Sequence, residues 1–167
     1  MDFKKNPKTK FKDIDKLTEA EAEKEIEALR AGIDMRKLGA RSIIVDCDVI
    51  EADGGTRTAS ITGGWIALAR VIRSMRDSGE LRRDPILSPV AAVSVGLVDG
   101  EALMDLCYEE DSVADVDMNV VMNGAGEIIE VQATAEGRAF GRDRLEELLD
   151  MAAEGISRLV AFQGEHI

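Results

Sequence analysis

Cysteine is scarce in this chain of 167 residues, which contains only Cys47 and Cys107. Neither lies in a CxxC pair or beside the single histidine, so the sequence disfavours a zinc site and a disulfide framework. Long apolar runs are lacking too, because none reaches the roughly 18 residues that span a bilayer. The first residues contain no apolar stretch of the signal-peptide kind. We therefore expect buried, reduced thiols in a cytoplasmic protein with no membrane partner.

Positive charge is also in short supply. The chain has 21 lysines and arginines against 33 aspartates and glutamates, which gives a formal net charge of −12. Nucleic-acid-binding proteins normally neutralise phosphates with a basic face, so this balance disfavours an RNA partner. It does not exclude one, because a local basic patch or a bound metal ion can oppose the overall field.

The pattern of charge and hydrophobicity divides the chain into an arm and one domain. Residues 1–17 are rich in lysine and have almost nothing to bury, so they predict a basic arm that is flexible or peripheral. Residues 18–167 predict a single domain, which begins with a capping-box pattern and a helix from Thr18 to about Lys37. Residues 41–50 then alternate between apolar and polar side chains, which indicates a strand.

The remaining pattern predicts a central helix, four strands and a closing helix. The Asp99-Gly100 pair predicts a tight hairpin between the first two of these strands. The element order α-β-α-β-β-β-β-α is typical of a mixed α/β fold (α+β, two layers) with helices on a largely antiparallel sheet. The helices cover residues 61–75 and 145–159, and the strands cover residues 90–98, 103–108, 118–122 and 128–134.

The turn at residues 53–57, Asp-Gly-Gly-Thr-Arg, is the first candidate site. Adjacent glycines let the backbone approach a ligand closely, and the N-terminus of the following helix presents N–H groups to an anion. Arg57 adds a positively charged fork that suits phosphate. A capped helix with a solvent-facing arginine explains the same residues equally well.

The acidic stretch at residues 108–117 is the second candidate site. Hard divalent cations prefer carboxylate ligands, and Mg²⁺ often takes one or two of them together with waters and a phosphate. A solvated acidic loop is the plainer alternative. An anion-binding turn and metal-binding carboxylates within one domain would suit phosphoryl transfer. The five carboxylates belong to Glu109, Glu110, Asp111, Asp115 and Asp117.

Four stretches resemble the sequence signature of the ribonuclease PH family. They are VDCDVIEADGGTRTASITG at residues 45–63, LCYEEDS at 106–112, VDMNVVM at 116–122 and EVQATAE at 130–136. The resemblance implies a ribosomal-protein-S5-domain-2-like fold. It also implies an RNA substrate, inorganic phosphate as the attacking co-substrate, and Mg²⁺ or Mn²⁺ as the metal.

The resemblance also implies roles for particular residues. Gly55, Thr56 and Arg57 correspond to the phosphate-binding turn, and Arg57 to a catalytic residue. Asp111 and Asp117 correspond to catalytic carboxylates that bind the metal.

The resemblance begins near Leu29, after the N-terminal sheet that family members carry. Leu17 occupies the position of a second phosphate-contacting arginine, and Glu23 and Glu27 replace further arginines. These departures predict a reduced or truncated member of the family.

Three functions are compatible with these features. The leading one is a phosphate-dependent 3′-to-5′ exoribonuclease that trims tRNA 3′ ends, releases nucleoside diphosphates and is weakened by truncation. It implies an enzyme that binds RNA and forms a homo-oligomer. The second is a non-catalytic assembly or regulatory subunit, which pairs with itself or with a full-length ribonuclease-PH-type partner. The third is a phosphate- or metal-dependent enzyme that acts on a small substrate.

Overall fold

The computed structural model describes residues 19–167, with residues 19–22 described only in their backbone. The expected basic arm at residues 1–17, which includes Leu17, lies outside this part of the chain. No helix in residues 19–167 is long and apolar enough to cross a membrane. The elements are α1 (Glu19–Ala31), α2 (Met35–Leu38), α3 (Thr56–Asp77), β1 (Val90–Val98), β2 (Glu101–Met104), α4 (Tyr108–Asp111), β3 (Val116–Asn123), β4 (Ile128–Ala135) and α5 (Arg142–His166).

The four strands form one antiparallel sheet in the order β2-β1-β3-β4. Asp99 and Gly100 join β1 to β2 with positive φ angles of 51° and 82°, as a tight hairpin turn requires. The central strand β1 is buried at eight of its nine residues, which explains its nearly continuous apolar sequence. The predicted hairpin and the strands at residues 90–98, 118–122 and 128–134 are confirmed.

Helices cover both faces of this sheet. Val90 and Ala92 of β1 pack in one core with α1 and α3, whereas Ala91 and Val93 pack in a second core with α5. The alternation follows from the two-residue period of a strand. The mixed α/β fold class is confirmed, but the domain has three layers where two were expected.

One buried amide connects α5 to the other layers. The side-chain Nε2 of Gln163 donates hydrogen bonds to the backbone carbonyls of Thr62 on α3 (3.0 Å) and Val90 on β1 (2.9 Å). Gln163 has no exposed surface, so these bonds form away from water, where an unmade bond would be costly. The end of α5 is therefore fixed against both α3 and the sheet.

The prediction of one helix from Thr18 to Lys37 is wrong, because α1 ends at Ala31 and α2 begins at Met35. Gly32 lies at the break, where a Cβ atom would come within 2.4 Å of the Trp65 ring. Helical spacing in the sequence carries no information about this close approach between distant residues.

The predicted strand at residues 41–50 is also absent from the described structure, because no described strand pairs with it. The side chains of this segment still alternate, because Ile43, Val45 and Val49 are partly buried while their neighbours are exposed. Ile44 and Ile50 are 90% and 94% exposed. Both cysteines are free, but Cys47 is exposed and Cys107 is partly exposed. The expectation of buried thiols is therefore wrong for Cys47, since no strand in the described part of the chain covers this segment.

The predicted strand at residues 103–108 is shorter than expected. β2 ends at Met104, where Asp105 takes a left-handed conformation with φ 58° and turns the chain. The Asp105 N–H donates to the Ser94 carbonyl of β1 (2.8 Å), which stabilises the turn. After this turn the single-turn helix α4 takes up residues 108–111 of the acidic stretch, and residues 112–115 have no helix or strand.

We expect the chain to self-associate through residues 41–50, because an unpaired segment with exposed apolar side chains favours pairing between chains. Ile44→Lys combined with Ile50→Lys should lower the mass measured by light scattering. The two side chains are almost fully exposed, so the free energy of unfolding should change by less than about 1 kcal/mol. Leu87→Lys, at an exposed position outside this segment, is the matched control. A monomeric parent chain at micromolar concentration would contradict the prediction.

Candidate functional site

The N-terminus of α3 is open to a ligand. Its N-cap Gly55 has φ 63°, in the left-handed region, and has no side chain to cap the first turn. The first backbone hydrogen bond of the helix runs from the Ala59 N–H to the Gly55 carbonyl (3.0 Å). The preceding N–H groups are therefore suited to an anion. A Cβ atom at Gly55 would lie 3.1 Å from Thr58 Oγ1 and 3.3 Å from Ser94 Oγ, so two hydroxyl groups border this turn.

Arg57 turns inward rather than towards solvent, so the alternative of a solvent-facing arginine is wrong. Its side chain is only 13% exposed, and Nη2 donates to Glu130 Oε2 on β4 at 2.9 Å. The remaining groups, Nε and Nη1, are buried without a partner among the described residues. Buried N–H groups that lack acceptors cost free energy, and an anion could supply the missing acceptors.

Ser94 of β1 is a site residue that the sequence patterns did not reveal. It is 5% exposed, and its Oγ has no hydrogen-bond partner in the described part of the chain. Its position beside Gly55 places an unused hydroxyl next to the open end of α3. The one sequence feature that could have indicated Ser94 is its hydroxyl side chain within the otherwise apolar run of β1. Glu130 lies within a stretch that carries the family resemblance, but its pairing with Arg57 required the structure.

The acidic residues of the stretch at 108–117 differ in their positions and contacts. Glu110 accepts a hydrogen bond from the Cys107 N–H (3.0 Å) and so stabilises the start of α4. Asp111 ends α4, and Asp117 is the second residue of β3. Asp115 is exposed between them.

Burial raises the pKa of Asp117, and the negative charges of Asp111 and Glu136 raise it further. A backbone hydrogen bond from Met118 lowers the same pKa in part. Asp117 is thus a carboxylate whose charge lacks compensation in its surroundings. A cation bound beside it would relieve this repulsion.

The structure brings the glycine turn and the acidic segment together. Asp53 Oδ1 accepts a hydrogen bond from the Tyr108 N–H (2.8 Å) at the start of α4. A Cβ atom at Gly54 would lie 1.8 Å from the Leu106 carbonyl oxygen, so only glycine allows this backbone contact. Asp53 and Gly54 therefore hold the two candidate sites against each other across more than 50 residues of sequence.

The donor set fits a magnesium ion better than a zinc ion. The described residues contain no group of three or more His, Cys, Asp or Glu side chains arranged to hold a metal. Two carboxylates at Asp111 and Asp117, completed by waters and a phosphate, would still suffice for Mg²⁺ or Mn²⁺. The metal and the roles of these residues stay predictions.

Comparisons with a family model and with curated proteins both point to ribonuclease PH. Residues 88–155 match the family model described as 3′ exoribonuclease family, domain 2. Ribonuclease PH of Synechococcus sp. (strain CC9605) is 57% identical over 136 residues, which cover 81% of this chain and 55% of that protein. Ribonuclease PH of Crocosphaera subtropica is 54% identical over 138 residues, covering 83% and 58%. The chain thus spans somewhat more than half the length of the curated relatives it matches.

We expect Asp117→Asn to raise the melting temperature at neutral pH in the absence of metal, by a few degrees. The folded protein raises the pKa of Asp117 and so disfavours its ionised form, which lowers the free energy of unfolding above that pKa. The gain from Asn should therefore shrink as the pH falls and Asp117 becomes protonated. Melting curves across acidic and neutral pH measure this trend, with exposed Asp115→Asn as the control. A gain that is independent of pH would be inconsistent with a charge effect.

Proposed function

The matched part of this chain belongs to the ribonuclease PH family, and from this we propose that the protein acts in phosphate-dependent 3′-to-5′ trimming of tRNA ends. Inorganic phosphate would attack the terminal phosphodiester, and the 3′ oxygen of the shortened RNA would leave and take up a proton. The product would be a nucleoside diphosphate. The observation that carries the proposal is buried Arg57 in the first turn of α3, with two unpartnered nitrogens, Nε and Nη1.

In this proposal, one group of residues would bind phosphate and a second, acidic group would bind the metal. Gly55 and Thr56 would bind phosphate through the open end of α3, and Arg57 would orient it with its free N–H groups. Asp111 and Asp117 would hold Mg²⁺ or Mn²⁺, which would offset the negative charge of the phosphates when bound. Neutralising this charge matters here because the chain itself carries a net charge of −12.

A second candidate function is assembly with another chain, either a second copy or a full-length ribonuclease-PH-type partner. The observation that favours it is the unpaired segment at residues 41–50, with its exposed Ile44 and Ile50. The two functions are compatible, because closed oligomers often complete their sites with residues from neighbouring chains. A purified chain that assembles but yields no nucleoside diphosphate would favour assembly alone.

We expect phosphate to raise the melting temperature of the parent chain, because a ligand that binds only the folded state stabilises it. Arg57→Ala should remove this rise and lower the rate of phosphorolysis by about 100- to 1000-fold, the usual cost of losing one preorganised donor. The substrate is a tRNA with a 3′ extension, supplied with Mg²⁺ and phosphate, and the readout is nucleoside diphosphate.

Two further variants control this experiment. Arg57→Ala combined with Glu130→Gln avoids leaving a partly buried, unpaired carboxylate, so it separates lost function from lost folding. Arg138→Ala removes an exposed arginine and should behave as the parent chain does. If phosphate does not change the melting temperature of the parent chain, the phosphate site at the start of α3 loses its support.

Ser94→Ala should have opposite effects with and without phosphate. Without phosphate, removing a buried hydroxyl that has no partner should leave the melting temperature unchanged or raise it. With phosphate, the rise should be smaller than in the parent chain, because one donor is lost. Thr62→Val is the matched control, since the Thr62 hydroxyl accepts from the Ala92 N–H (3.0 Å). This control should lower the melting temperature and keep the full phosphate effect. An unchanged phosphate effect in Ser94→Ala would contradict the prediction.

A further inference from the structure

Among residues 18–167, basic residues are concentrated in two segments of this acidic chain. Residues 30–41 contain four lysines and arginines against one aspartate, and residues 70–84 contain five arginines against three carboxylates. The chain as a whole carries a net charge of −12, so the remaining sequence is more acidic still. A polyanion that approaches the protein would be repelled over most of the surface and attracted near these two segments.

The two segments meet at one open cavity of about 500 Å³, here called the basic pocket. Five cationic side chains line it, together with Asp34, Glu80 and Leu81. Arg41 joins the two segments, because its guanidinium donates to the carbonyls of Leu38 (3.0 Å) and Glu80 (2.8 Å). The five cations are Arg36, Lys37, Arg41, Arg82 and Arg83.

Three of these cations are available for a ligand. Arg36, Arg82 and Arg83 are exposed, and their side chains form no ion pair or hydrogen bond with any residue of the described chain. The Nζ atom of Lys37 lies 3.8 Å from Asp34 Oδ2, so the positive charge of Lys37 is partly neutralised. The arginines of α5 differ, because Arg142, Arg144 and Arg158 each pair with a glutamate on the same helix. Among the described residues Arg30, Arg70 and Arg138 are also exposed without an ion pair, so the basic pocket differs in that three such arginines line one cavity.

We propose that the basic pocket binds the sugar–phosphate backbone of RNA, outside the phosphate site at the start of α3. The proposal rests on the proposed function, which supplies RNA as the partner. Arginine forks suit phosphate groups, and the lining of this pocket is mostly polar. The pocket adjoins the end of α3, whose 22 residues place it about 30 Å from the opposite end. The pocket would therefore hold the body of an RNA whose 3′ end reaches the other end of α3.

The test compares two triple variants of the full chain. Arg36→Gln, Arg82→Gln and Arg83→Gln together remove the free cations of the basic pocket. Arg142→Gln, Arg144→Gln and Arg158→Gln remove the same charge from α5. Fluorescence anisotropy with a labelled RNA hairpin that has a single-stranded 3′ extension gives the Kd at several salt concentrations. The phosphate-induced rise in melting temperature is measured in parallel.

The pocket variant should bind RNA at least tenfold more weakly than the α5 variant at low salt. Its slope of log Kd against log salt should fall by about 2, since each lost phosphate contact removes about 0.7 to 0.9. Its phosphate-induced rise in melting temperature should be unchanged. Equal losses in both variants, or no RNA binding by the parent chain, would overturn the proposal. If phosphate has no effect on the parent chain while the pocket variant alone loses RNA binding, the site at α3 fails and the RNA-binding pocket stands.

Discussion

The guanidinium of Arg57 lies almost entirely out of water, and its partner Glu130 is only about one quarter exposed. Taking two charges out of water costs several kcal/mol per ion, and close pairing offsets this cost only in part. The pair fixes the first turn of α3 against β4, and it leaves Nε and Nη1 of Arg57 without acceptors. The layout of the site follows from this pair, because the turn at Gly55 and the hydroxyl of Ser94 both lie beside the same first turn.

Much of the fold could be predicted from the sequence, because most of the elements carry local signals. The helical spacing of α3 and α5, the apolar run of β1 and the hairpin at Asp99-Gly100 depend only on neighbouring residues. Gly55, Thr56, Arg57, Asp111 and Asp117 could likewise be proposed as site residues, since they lie in contiguous motifs. These motifs also carried the family resemblance that the comparison with ribonuclease PH bears out.

The remaining features depend on contacts between distant residues, which periodicity does not encode. After the first helix, the backbone at Gly32 and Asp34 hydrogen-bonds to Leu87 and Pro85, and residues 41–50 lack a strand because no described neighbour pairs with them. The same limit applies to the site. Asp53 reaches α4 across more than 50 residues, and Ser94 gains its place only when β1 passes beneath the start of α3. The sequence pattern predicts helices and strands well, but which of them contact each other is known only from the assembled structure.

The unpaired segment at residues 41–50 has a consequence for the lifetime of the chain in a cell. Proteases cut most readily where the backbone is accessible and unpaired. Ile43 and Val45 pack against the core, but residues 42–50 pair with no described strand, so this backbone is accessible without any unfolding of the core. Pairing with another strand would remove the same backbone from attack. Degradation would then select against unassembled copies, so the steady-state amount of the protein would follow the supply of its partner rather than its own rate of synthesis.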